Sequence, residues 1–330
     1  MTQEGEMLMH HGAVPGLPPS AATMAHLRTS NWAGGALLSS AALLTVGGVA
    51  LSLQPNWWSW LLGQVVLAAA MVQWFALLHE CGHGTLFHTK ALHAPVGWVA
   101  GFFSMIPYGC WKRVHGRHHK WTGWQDVDPT TAALVPRPLG RAERVLMNVC
   151  WRSWIPLFAT LYRVNNFWNL PRLRSLFSKG DDRRRIAISI ITLLLAYVAV
   201  AVIVGPRTLV RITLLASLLA FVVEELIILS QHTHIPQNLS QGKAVPPFPA
   251  VEQQVFTRSL VFPSWLSAML LHIDAHELHH MYPFVPGYQL RAISYNTQNE
   301  INWWTWVKCV RAMPGETFMF HNRIETGVDI

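Results

Sequence analysis

The chain has 330 residues, of which 51% are hydrophobic and only 13% charged, about half the charged share of an ordinary soluble domain. A large soluble all-α core would carry far more surface charge, and the 16 Trp fit a chain with many positions at a membrane–water interface. The formal net charge of +8 is spread out rather than gathered into a basic arm, so no nucleic-acid partner is expected.

In chain order, the opening MTQEGEMLMHHG is acidic and lacks an apolar core, so it does not read as a signal peptide. Residues 1–31 are expected to form a disordered tail. Four apolar stretches then reach the length of about 20 residues that a bilayer requires. They lie at about 32–53, 58–78, 186–204 and 209–230. Pro55-Asn56 and Gly205-Pro206 turn them into two tight hairpins. A further stretch, Ala94 to Pro107, is too short to span and is expected to be re-entrant or interfacial. The connection from His79 to Arg185 holds 16 of the 25 Lys and Arg, whereas the two turns hold only Arg207. The positive-inside rule then puts that connection and both termini in the cytosol, in the cytoplasmic membrane if the source is bacterial. Cys81, Cys110, Cys150 and Cys309 are far apart and form no CxxC pair, which fits a reducing compartment without a disulfide framework. The expected fold is all-α and integral to the membrane, with a membrane domain over 32–310 and a C-terminal tail over 311–330.

Seventeen histidines fall into groups. Segment 79–83 reads HECGH, segment 115–119 reads HGRHH and segment 276–280 reads HELHH. Residues three and four apart share a helix face, so His79 and His83, then His115, His118 and His119, then His276, His279 and His280 can each converge on one point. With a ninth imidazole from His232 or His234, these groups suit two metal ions. Imidazole by itself does not choose between iron, copper, zinc and nickel. A structural zinc site takes four ligands and usually includes Cys, so the number and setting favour a dinuclear centre. The soluble carboxylate-rich di-iron scaffold repeats Glu-x-x-His and adds further Glu ligands. Glu80 to His83 and Glu277 to His280 have that spacing, but the three boxes hold eight histidines against two carboxylates, so a histidine-dominated site is expected. His10, His11, His26 and His321 are expected to be solvated, and His88 and His93 to make local polar contacts.

The order HECGH, HGRHH, HELHH resembles the three histidine boxes of the membrane fatty acid desaturases, and is most similar to the acyl-lipid omega-6 and omega-3 type. The second box continues as HHKWTGWQDVDP, and the third extends as HIDAHELHHMYPFVPGY. Gln231 to Pro236, QHTHIP, resembles the family's segment after the last span. The likeness covers roughly residues 60 to 300. It implies four transmembrane helices under a cytosolic helical cap built from 79–185 and 231–310. It also implies two iron ions on His79, His83, His115, His118, His119, His232, His276, His279 and His280, with O2 as co-substrate. His234 is a lesser substitute for His232, and His272 has a counterpart in some relatives.

The implied reaction is O2-dependent desaturation of a lipid acyl chain, with electrons from a separate ferredoxin or cytochrome b5-like donor. The chain shows no GxGxxG and no haem-binding module of its own. Carboxylates that orient the imidazoles are sought at Asp126, Asp128 and Glu277 by proximity. They are sought at Glu224 and Glu225 because an ionisable group inside a span is costly unless it faces a polar interior. Arg137, Arg141 and Arg144 form a basic patch suited to an acidic donor. The competing readings are a hydroxylase or carotenoid-type ketolase or hydroxylase on the same scaffold, a membrane bis-histidine haem protein, and a metal transporter.

Overall fold

The computed structural model describes residues 18–20 and 22–330; His10, His11 and most of the segment expected to be a disordered tail lie outside them. Four helices are long and apolar enough to cross a membrane: α1 (Asn31–Ser52), α2 (Trp57–His83) and, later in the chain, Gly180–Val204 and Pro206–His232. The α1–α2 hairpin is tight because small residues line its crossing. A Cβ on Gly63 would lie 2.5 Å from the Ser52 backbone N, and one on Gly48 would lie 2.9 Å from that of Leu67. Between lipid-facing helices such close backbone approach replaces the hydrophobic drive available in water. Helix α2 is central, with 72% of its most apolar stretch buried against 17% for α1.

Between the hairpins come α3 (His93–Phe103), α4 (Tyr108–Trp121), α5 (Arg141–Arg152), α6 (Leu157–Arg163), a π-helical turn (Val164–Trp168) and α7 (Leu170–Leu176). Then follow α8 (Gly180–Val204) and α9 (Pro206–His232). The apolar stretch beginning at Ala94 is thus a short helix, α3, packed against α2. Both α2 and α9 run past the apolar stretches read from sequence, to His83 and His232. Gly84 stops α2 in a left-handed conformation at φ 75°, one that glycine adopts without Cβ strain. The first histidine box therefore forms the last five residues of a helix long and apolar enough to cross a membrane.

After α9 the chain forms β1 (Ser259–Val261), α10 (Ser264–Met269), α11 (His276–Met281), β2 (Glu300–Asn302), α12 (Trp303–Ala312), α13 (Gly315–Phe320) and α14 (Arg323–Thr326). Strands β1 and β2 pair in parallel, Ser259 with Glu300 to Val261 with Asn302, a small departure from an all-α fold.

Both terminal segments are packed where they are described. Met24 is buried with Leu278, Tyr282 and Val285 beside the third box, and Tyr282 donates to the Pro19 carbonyl at 2.7 Å. At the other end Phe318 is fully buried and stacks on Trp151. The buried Arg258 guanidinium donates to the carbonyls of Ser230, Thr233 and Ile330. Residues 22–30 and 311–330 are accordingly parts of the fold rather than tails. Apolar residues that could be buried only by distant partners gave no periodic signal within such short segments.

Candidate metal centre

Three helix faces and one helix end meet on the side where α2 and α9 finish. His79 and His83 come from the last turn of α2, His115, His118 and His119 from α4, His232 from the last residue of α9, and His276, His279 and His280 from α11. One group of four, His79, His83, His115 and His279, has ring nitrogens all within 4.8 Å of one another. A second, His118, His232, His276 and His280, does the same. His119 lies between them, its Nε2 3.1 Å from His115 Nε2 and 3.0 Å from His279 Nε2, its ring stacked on His280.

The nitrogen spacings test whether these residues fit metal ions. His83 and His115 bring Nε2 atoms to 2.7 Å, His276 and His232 to 2.9 Å, and His280 and His276 to 3.0 Å. A neutral imidazole nitrogen is either one donor or one acceptor. The Nε2 of His115, His119 and His276, each facing two others, cannot satisfy both neighbours by hydrogen bonding. Nitrogens about 3 Å apart are instead the spacing of adjacent ligands on one cation at roughly 2.1 Å. His79 Nε2 is buried with no protein partner, and a cation would satisfy it. Burial first, and the neighbouring imidazoles second, hold His115, His119, His276, His279 and His280 well below the usual histidine range. They are therefore neutral near pH 7 and have lone pairs to give.

In His79, His118, His232 and His280 the opposite ring nitrogen is held by a specific acceptor, which fixes the tautomer that leaves Nε2 free. The Nδ1 atoms of His119 and His276, by contrast, are buried with no partner among the described residues. His79 Nδ1 donates to Glu80 Oε1 at 3.2 Å, and Glu80 Oε2 in turn accepts from Thr85 Oγ1 at 2.7 Å and Gly287 N at 2.8 Å. His118 Nδ1 donates to Asp128 Oδ2 at 2.6 Å, and Thr130 fixes that carboxylate through its N and Oγ1. His280 Nδ1 donates to Gln253 Oε1 at 2.9 Å and His232 Nδ1 to the Phe256 carbonyl at 3.3 Å. Trp111 stacks on His115, centroids 4.7 Å apart.

The sequence profile of the fatty acid desaturases matches residues 55–303, a stretch holding all three histidine boxes and His232. The chain belongs to the fatty acid desaturase family. It is 26% identical over 280 residues to a chloroplastic omega-6 fatty acid desaturase of Arabidopsis thaliana, covering 77% of this chain and 56% of that protein. It is 24% identical over 264 residues to a probable fatty acid desaturase of Sorghum bicolor, covering 76% of this chain and 66% of that one. A shorter match, 32% over 90 residues, or 26% of this chain and 18% of the relative, is to an oleate hydroxylase of Claviceps purpurea. The chain thus spans between about half and two thirds of the length of its long matches.

Within this desaturase-family chain, proximity in sequence misplaced several of the carboxylates sought beside the histidines. Asp126 accepts from Ser240 N, Ser240 Oγ and Gln241 N, tying one loop to another. Glu277 accepts from Ser259 N and Asn299 N, turned toward the paired strands β1 and β2 rather than toward an imidazole. Glu224 pairs with Arg163, and Glu225 Oε2 accepts from Ala159 N at 3.0 Å. Both serve α6, not an imidazole. His234 donates to the His321 carbonyl and holds the C-terminal segment. His272 faces Ser267 Oγ at 2.7 Å. Of the proposed basic patch, Arg137 is paired with Glu143 and Arg144 with Glu316, which leaves little free charge. His93 makes local contacts, receiving the Phe87 N–H at 3.1 Å. Sequence reading passed over Glu80 and Gln253 as orienting groups. Glu80 was legible, being a carboxylate inside a box, but Gln253 comes from a loop with no pattern of its own.

Three cavities adjoin the site. A small one of about 40 Å³ touches His79, His115, His118, His232 and His276. A largely apolar one of about 440 Å³ meets it at Thr130, Leu134, Phe158 and Tyr162. A third, polar and of about 180 Å³, reaches His232 from the side of α13 and α14.

Proposed function

We propose that this chain is a membrane di-iron desaturase that introduces a double bond into a lipid acyl chain. The observation that carries the reading is that two four-histidine groups border a small cavity sharing its wall with a largely apolar one of about 440 Å³. Two irons, when bound to the nine histidines, would activate O2 and supply the oxidising power for breaking an unactivated C–H bond. The balance is one O2, two electrons and two protons per double bond, with two waters formed. Electrons come from a ferredoxin or cytochrome b5-like donor.

The protein's own part is placement. Glu80, Asp128 and Gln253 aim the imidazoles, while Phe158, Tyr162 and Leu134 line the throat through which the chain reaches the metal side. The outer cavity's rim includes Ile155, Leu161 and Val164, all about half exposed. Their segment packs on Glu224 and Glu225 of a candidate span, which supports lateral entry of the chain from the bilayer. The charge distribution supports a cytosolic site with both termini on that side.

A hydroxylase remains the second reading because of the oleate hydroxylase match, and the two differ only in the fate of the same activated carbon. A carotenoid-type substrate on the same scaffold is a third outcome of the same test. Imidazoles packed at 2.7–3.1 Å leave no gap for a porphyrin plane, which counts against a haem protein. Histidines gathered at helix ends rather than within spans count against a metal transporter.

The test is the fatty-acid and carotenoid profile of cells expressing the chain, with a His118→Ala/His279→Ala double variant as control. A new unsaturated species absent from the variant supports the reading. A hydroxylated species moves it to the second, an oxygenated carotenoid to the third, and purified protein without iron overturns it.

A further inference from the structure

Desaturation as proposed above must import two protons and export two waters per turnover. An apolar cavity filled by an acyl chain conducts neither. The polar cavity runs from an exposed mouth to the buried metal side. Its outer end carries His321 and Glu325, with side chains 54% and 46% exposed. Its inner end carries Thr131 and Thr233, 5% and 4% exposed, next to His232. Between them Gln125 and Gln237 supply further polar wall, and about 180 Å³ holds several waters with partners for each.

What separates this cavity from the chain cavity is apolar. The two share only Leu134, Met319 and Phe320, all members of one buried cluster. Leu134 alone lines all three cavities. It ends a short 3₁₀ turn, Ala132–Leu134, and its carbonyl is held by Gln125 Nε2 at 3.0 Å. The residue that divides wet from dry is thus positioned by a residue of the wet wall.

We propose that the polar cavity is a water-filled port that delivers protons to the metal side and drains product water, with Leu134 as the partition that keeps it out of the chain cavity. The inference rests on the desaturase reading for its purpose, but the port and the partition are properties of the protein at rest.

The test uses thiol accessibility in the purified full-length protein in lipid vesicles, with an alkylthiosulfonate carrying a sulfonate as the probe. Cys150 lines the chain cavity and is buried, so it reports on that side. Thr131→Cys reports on the inner end of the port, with Thr233→Cys as a second reporter, and Cys309→Ser removes the one half-exposed thiol. Labelling follows access. The port cysteine is expected to react more than an order of magnitude faster than Cys150. Leu134→Ala is expected to bring Cys150 to a comparable rate, while Leu134→Met keeps it protected and controls for folding. Gln237→Trp, which fills the port, is expected to slow the inner reporter by more than an order of magnitude and to slow turnover at unchanged iron content.

Inner reporters as inert as buried Cys81 would overturn the port, and a Cys150 that reacts freely with Leu134 intact would overturn the partition. Normal turnover in a Gln237→Trp variant that blocks labelling would overturn the delivery role. Labelling needs no turnover, so a failure to make any desaturated product leaves the port result readable, and product formed with inert reporters rejects the port alone.

Discussion

Asp128 and Glu80 each hold one imidazole of a different four-histidine group, at 2.6 and 3.2 Å. A carboxylate in that position fixes the ring and raises its basicity, and its loss typically weakens metal binding by about 10–100-fold. Asp128→Asn and Glu80→Gln are each expected to lose iron to a chelator in that range, read as iron per chain after dialysis. Asp126→Asn, two residues from Asp128 but turned to Ser240 and Gln241, is expected to retain iron as the parent does. The histidines also set a pH limit. His115 and His119 of α4 and the three histidines of α11 have folded values depressed by burial, so the unfolded chain binds protons first as pH falls. Stability and metal retention are therefore present above the ordinary imidazole range and lost on going below it, toward the depressed values. Thermal unfolding and iron content followed from pH 8 to pH 5 are expected to fall together.

At the scale of elements, two neighbouring carboxylates of α9 grip the two ends of α6. Glu225 accepts from the amide of Ala159 in the first turn, and Glu224 pairs with Arg163 at the last residue. Pro156 gives that helix no side-chain cap, so a carboxylate from another helix takes the place of one. What they position is Phe158 and Tyr162, the walls of the throat. Removing one partner of a buried pair strands the other charge, at about 3–5 kcal/mol. Glu224→Gln is expected to lower the detergent-solubilised melting temperature accordingly, with iron content intact. An Arg163→Met/Glu224→Leu pair is expected to recover most of the loss. A histidine-orienting role would instead lose iron. The sequence flagged these carboxylates because charge inside a span is costly. It did not give their partner, since α6 is a seven-residue helix with too few turns to show a face.

For the whole molecule, the segments at either end of the described chain are structural. Phe318 lies between Trp151 and Trp306, and the segment beyond it covers Arg258 and His234. Phe318→Ala is expected to cost about 3–5 kcal/mol, read as a drop in melting temperature, even though the residue lies outside the matched family span.

The four long apolar helices, the turns that join them in pairs and the three boxes were all legible in the sequence. Lipid demands runs of about 20 apolar residues, and helical spacing of three and four puts histidines on one face. Both signals are local. Which nitrogens meet was decided only by tertiary packing, because His119 and His279 stand 160 positions apart yet 3.0 Å away in space. The division into two groups of four, the choice of Asp128 over Asp126, and the partition at Leu134 all depend on contacts between elements. A side chain's facing partner across such distances leaves no periodic trace in the chain that carries it.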